Sequence, residues 1–364
     1  MPEFIPGLEL SRIFYQEAVK PIVSVALPGM PYSAARIGPG SEVLGFDTEM
    51  SRDHDWGPRL TIFLPAENFR KNSRILDQTL REKLPPSLHG YSTSWSLPQE
   101  DGSSALIVAA PGRVNHRVEI TRLRDYLMDN LGFDPQKNIS PGDWLFLPQQ
   151  PLLEMTRGAV FHDHLGLNAL RKKLAWYPKD IWLYLLAAAW KRIGQEEHLM
   201  GRAGMVGDEL GSKIIAARLV RDLMRLGFLI EKRYAPYAKW FGTAFRQLDC
   251  AMELEPVLEQ VLSAKTWQSR DEYLAVGYEL MVARFNALKL TKPVPSKTTN
   301  FYNRPLRVIW GEKIAAAIIG RIKDAEVKKI ATRTLVGSVD QWSDNVDLLE
   351  DLELVNKIKP TICK

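Results

Sequence analysis

Two aspartates one residue apart, Asp53 and Asp55, stand just before the apolar run RLTIFL. In a strand, residues i and i+2 point to the same face. If both aspartates begin or extend that strand, their carboxylates converge while His54 faces away. Close carboxylates repel and stay ionised together only beside a cation. Hard oxygen ligands favour Mg²⁺ (or Mn²⁺), which commonly completes its shell with substrate phosphates. Upstream, Gly38, Gly40 and Ser41 follow the strand-like YSAARIG. Glycines let backbone N–H groups approach a phosphate, and a serine hydroxyl adds a donor. Glu119, an acid within the apolar HRVEIT, is a candidate third metal ligand or a base for an attacking hydroxyl. Such a set is the minimum kit for phosphoryl or nucleotidyl transfer.

Each of these residues also has a plainer role open to it. Asp53 and Asp55 can serve as turn or capping residues beside Gly57 and Pro58. Glu119 can pair with Arg117 or Arg113, and His54 reads as structural. Arg59 lies near enough to the motif to touch phosphates, or is a solvated surface arginine. Lys239, among the aromatics and prolines of RYAPYAKWFG, is a candidate triphosphate contact or a lysine snorkelling over an apolar face. The glycine-rich stretch with Glu196, Glu197, Arg202, Asp208 and Glu209 is a candidate lining for a cleft between domains. His162 and His164 lack a cysteine or third histidine nearby, so zinc is not expected there. Asp344 and Asp347 suit a capped helix start.

The elements that must position these groups divide the chain into an α+β half and a helical half. Residues 8–27 read as helix interrupted at Pro21, and Tyr32–Gly38 and Arg59–Leu64 as strands. Ala66–Leu84 has the spacing of a surface helix packed on a sheet. GYSTSWSL, SALIVAAP and NHRVEIT are three further strand candidates, with QEDG a turn between the first two. After Arg122 strand signals almost vanish, and prolines punctuate long helical runs. The expected domains are residues 1–135, catalytic, and 136–364, a helical domain that selects the acceptor.

A chain of 364 residues suffices for two domains, and 45% hydrophobic with 25% charged residues argues against disorder. The formal charge of +5 suits an anionic small substrate as well as it suits nucleic acid. No aromatic–basic strip stands out along the chain, so nucleic acid is not an expected partner. Only Cys250 and Cys363 occur, which excludes a disulfide framework and a cysteine-based zinc site. The start of the chain does not read as a signal peptide, and the apolar Ile181–Trp190 is too short to span a membrane. A cytoplasmic setting is expected.

Gly40-Ser41, Asp53-x-Asp55 and an acid in a later strand resemble the nucleotidyltransferase superfamily of DNA polymerase beta type over about residues 32–120. SRDHDWGPR, YAPYAKWFGTAF, YNRPLRVI and GSVDQWSDNVDLL are similar to an uncharacterised bacterial family assigned to that superfamily, with a C-terminal helical domain. The resemblance implies Asp53 and Asp55 as metal ligands, Gly40 and Ser41 as the phosphate loop, and Glu119 as the third acid. Pro39 and His54 depart from the pattern. The expected activity is Mg²⁺-dependent transfer of AMP from ATP, or another nucleoside triphosphate, to a hydroxyl of a small molecule or protein, releasing pyrophosphate. The alternatives are a non-catalytic nucleotide sensor or toxin–antitoxin-type partner, and an RNA-modifying enzyme.

Overall fold

The computed structural model describes residues 2–109, 112–333 and 335–363, and the fold is α+β. Two compact units appear, Met1–Asn138 with Pro151–Ala175, and Ile139–Gln150 with Trp176–Lys364. The chain therefore leaves the first unit near the expected boundary at 135 and then returns to it. Residues 151–175, assigned to the helical half by sequence, pack with the sheet instead.

The first unit is built on four strands, β1 (Ser33–Arg36), β2 (Arg59–Leu64), β3 (Arg117–Arg122) and β4 (Ala159–Asp163). Their order is β3-β2-β1-β4, with β1 antiparallel to both neighbours and β2 parallel to β3. A parallel pair needs a long crossover, and the helix Phe69–Lys83 supplies it. Thr61 lies beside Ala35 on one side and Glu119 on the other, which fixes the register across the sheet. One face carries Ala34, Leu60, Ile62, Leu64 and Val118 into a core shared with Phe14, Val19, Val23, Leu76 and Leu80. Each fully buried side chain of this kind contributes about 1.5–3 kcal/mol. On the other face Phe63 meets Tyr126 edge-on at 5.2 Å.

The first helical segment runs from Gly7 to Ala26 with a π-helical stretch at Phe14–Val19. Pro21 follows that stretch, and a proline inside a helix disrupts the i→i−4 ladder at the preceding turn. The three strand candidates between Tyr91 and Arg122 are present, the first two as two-residue pairings. β4 was not legible as a strand, because AVFHD neither alternates nor forms an apolar run.

In the second unit the helix Lys179–Glu196 buries every residue from Ile181 to Trp190. A helix apolar all round belongs inside a bundle. Glu209–Ile230, Trp267–Ala287 and Gly311–Ile319 are further helices of this unit. A hairpin of Thr299–Phe301 and Arg304–Val308 interrupts them. Among the described residues no helix is long and apolar enough to cross a membrane.

Candidate functional site

β1 ends in Arg36, and the chain then turns through Gly38 (φ +84°) and Gly40 (φ +146°) into a short helix, Ser41–Leu44. Both glycines are required sterically. A Cβ on Gly38 would strike the Tyr126 hydroxyl. One on Gly40 would lie 2.5 Å from Arg36 Nη2 and Glu42 Oε2 and 2.6 Å from Arg59 Nη2. The loop is thus folded tightly around two guanidiniums and a carboxylate.

Glu42 is 2% exposed, and its Oε1 accepts from both arginines. Arg36 donates through Nε at 2.9 Å and Nη2 at 2.7 Å, and Arg59 through Nε at 2.9 Å and Nη2 at 2.6 Å. Arg36 Nη1 also donates to the Ile37 carbonyl at 2.6 Å. Burial raises the Glu42 pKa, but the two guanidiniums outweigh it and hold the carboxyl below its ordinary range. Arg59 is pushed down to about 10, by burial first and then by Arg36 beside it. A single carboxylate serves two arginines, whose charges hold Glu42 down, while for Arg59 the nearness of Arg36 adds to the larger effect of burial.

Arg117, the β3 neighbour of Arg59, stacks on Trp95 with its Cζ 4.9 Å from the ring centroid. Its Nη1 pairs with Asp55 Oδ1. Asp55 itself sits in the left-handed region at φ +47°. Its N–H donates to the Ser104 carbonyl at 2.7 Å, and its carboxylate accepts from the Ser104 N–H at 3.3 Å. The cation that Asp55 needs is therefore the chain's own guanidinium.

Asp53 closes a 3-10 turn, Glu49–Asp53, and is exposed. Its oxygens accept from the His54 N–H and meet the His54 imidazole, each at 3.0 Å. Against slight desolvation, His54 holds Asp53 below the usual carboxylate range. The preceding Arg52 is boxed by Phe4, Trp56 and Tyr91 at 5.2, 5.7 and 5.5 Å, which ties the turn to the body of the unit.

The expectation that Asp53 and Asp55 begin β2 is corrected here, because the strand starts only at Arg59. Gly57 (φ +148°) and Pro58 intervene, and a Cβ on Gly57 would come within 3.0 Å of Leu106 and Trp95. The two aspartates therefore do not share a strand face. His54, expected to bond behind the site, is an exposed partner of Asp53. Glu119 is exposed on β3, and its carboxylate accepts from Thr61 Oγ1 at 2.9 Å, while Arg117 turns to Asp55. As these side chains stand, Asp53, Asp55 and Glu119 do not fit a shared metal. Among the described residues no group of three or more His, Cys, Asp or Glu side chains is placed to hold one.

Ser41 opens the short helix half-exposed, beside Gly40 and the arginine cluster. Lys239 belongs to the second unit, exposed on the helix Ala238–Phe245 with its Nζ 5.1 Å from the Trp240 ring centroid. Glu196, Arg202, Asp208 and Glu209 also lie in that unit, where Glu209 pairs with Arg270 and Asp208 caps a helix. His162 stacks on Tyr32 at 4.2 Å and meets His164 at 3.3 Å. Sequence reasoning missed Arg36 and Glu42. A charged residue closing the buried strand SAAR was the one available signal for Arg36.

Residues 144–241 match a domain of unknown function, DUF4037. No curated protein matches the chain. A crystal structure of a nucleotidyltransferase-like protein from Exiguobacterium sibiricum 255-15 is similar at 14% identity and a TM-score of 0.33, covering 79% of this chain and 82% of that one.

Proposed function

We propose that the first unit binds a nucleoside triphosphate at the Gly38–Ser41 turn and transfers its nucleotidyl group to a hydroxyl acceptor. The observation that carries this reading is the arrangement of Arg36 and Arg59 on a single oxygen of Glu42, with Arg117 beside them. Buried guanidiniums short of counter-charge are relieved by an anion, and arginine's fixed fork matches phosphate oxygens. The motif resemblance of Gly40 and Ser41 supports the same reading.

In the proposed reaction the acceptor oxygen attacks the α-phosphorus, and the bond to the β-phosphate oxygen breaks. Pyrophosphate leaves, and the exposed carboxylate of Glu119 takes the hydroxyl proton. Thr61 orients that carboxylate through its hydrogen bond. The arginines meet the charge that builds on the phosphates in flight. ATP enters as its Mg²⁺ complex, so the divalent ion belongs to the substrate, and no step is assigned to a resident metal.

A second reading, a nucleotide sensor without turnover, is favoured by the engagement of Asp55 with Arg117. One assay separates the two. Pyrophosphate release is followed with ATP and a panel of hydroxylated acceptors, for the wild type and Glu119→Gln. Transfer predicts release that falls about 10²-fold in the variant while triphosphate binding persists. Binding with no release from any acceptor supports the sensor.

A further inference from the structure

The second unit carries a patch assembled from distant parts of the chain. Phe301 and Tyr302 at the hairpin turn lie 4.9 Å apart, and Trp310 stands 5.9 and 5.5 Å from them. His198 stacks under Phe301 at 4.3 Å. Trp310 is held by its indole N–H, which donates to Thr299 Oγ1 at 2.7 Å. Tyr302 is 75% exposed, with two other rings, Phe301 and Trp310, beside it.

Cations surround these rings. Lys313 Nζ lies 4.3 Å from the Trp310 ring centroid. Arg202 and Arg304 are near enough to His198 that, after burial, their charges hold its imidazole neutral more firmly. Among the described residues Arg202, Arg304 and Lys313 enter no ion pair, whereas Arg307 on the same hairpin meets Asp271 and Glu272. Glu312 lies near His198 as well, and the buried Glu197 accepts from the N–H groups of Ile309 and Gly311 on either side of Trp310. One exposed ring, Tyr302, backed by half-buried rings and bordered by cations outside any ion pair, is complementary to flat apolar bases joined by phosphates.

We propose that this face binds single-stranded nucleic acid, with an unpaired base stacked on Tyr302 and the adjoining phosphates met by Arg202, Arg304 and Lys313. Every base offers a ring face, so such a platform is tolerant of sequence. A duplex hides those faces and binds poorly. The proposal is independent of nucleotidyl transfer, because strand binding requires neither triphosphate nor turnover.

The test is fluorescence anisotropy of the full chain with labelled oligouridine of about ten nucleotides, a length within known strand sites. Tyr302→Ala, at an exposed position, should keep the melting temperature and weaken binding roughly tenfold or more. Arg202→Gln with Arg304→Gln should flatten the logarithmic salt dependence by about 1.4, the share of two phosphate contacts on a single strand. Tighter oligouridine than oligothymidine binding assigns the face to RNA and the reverse to DNA; both support it. Equal affinity for duplex, equal affinity for UMP, or indifference to Tyr302→Ala overturns it. Absence of any strand binding also overturns it and leaves the face to a protein partner.

Discussion

Glu42→Gln tests the arginine cluster directly. The side chain is 2% exposed and its Oε1 receives four N–H donors from Arg36 and Arg59. Glutamine keeps the shape and one acceptor but removes the negative charge, leaving two adjacent buried guanidiniums. Removing one partner from a buried pair costs about 3–5 kcal/mol. In a unit of this size that corresponds to a fall of about 6–20 °C in melting temperature. Pyrophosphate should then stabilise the variant more than the wild type, since it replaces the lost charge. Saturation at a hundredfold over Kd returns about 2.7 kcal/mol. The pH dependence has a definite sign. Glu42 titrates lower in the fold than unfolded, so its stabilisation is present above the unfolded pKa and disappears as pH falls through the folded one. Wild-type and variant melts should therefore converge in acid. Scanning calorimetry across pH, with and without pyrophosphate, makes the measurement. A variant within about 0.5 kcal/mol of wild type, the range of an ordinary surface change, would refute the reasoning.

The aspartates should differ from each other. Asp53→Asn, at an exposed position, should leave the melt within about 0.5 kcal/mol. Asp55→Asn tolerates the left-handed backbone but loses a half-exposed ion pair with Arg117, costing up to about 1 kcal/mol after solvent screening. A larger loss from Asp53→Asn contradicts the placement given above. In the second unit, burial raises Glu197 to about 7 against the backbone N–H groups of Ile309, Gly311 and Trp310. Its folded pKa lies above the unfolded value, so its contribution is present below pH 4.5 and is lost as pH rises toward 7. Glu197→Gln should thus gain in melting temperature relative to wild type between pH 5 and pH 8, and a flat difference speaks against it.

Periodicity made the sheet largely legible. RLTIFL and HRVEIT alternate or run apolar, and both are strands joined by the expected amphipathic helix. β4 escaped because a half-buried edge strand of five mixed residues carries no such pattern. Asp53 and Asp55 were visible as residues but not in their geometry. Gly57 and Pro58, noted as turn formers, end the extension that the strand reading required. Arg36 and Glu42 become neighbours only when two positive-φ glycines fold the loop between them, an arrangement no local pattern encodes. His198 reaches Phe301 across about a hundred residues, so the ring cluster is absent from any linear reading.

The arginine cluster at Glu42 is expected to hold the phosphates of ATP. Titration calorimetry of ATP into wild type and Arg59→Gln, each checked for an intact melt, measures this. Loss of a charge-assisted contact of this kind removes about 1.5–3 kcal/mol, so affinity should fall by roughly 10- to 100-fold in the variant. Equal ATP affinity in the two proteins, or no binding by the wild type, would contradict the account.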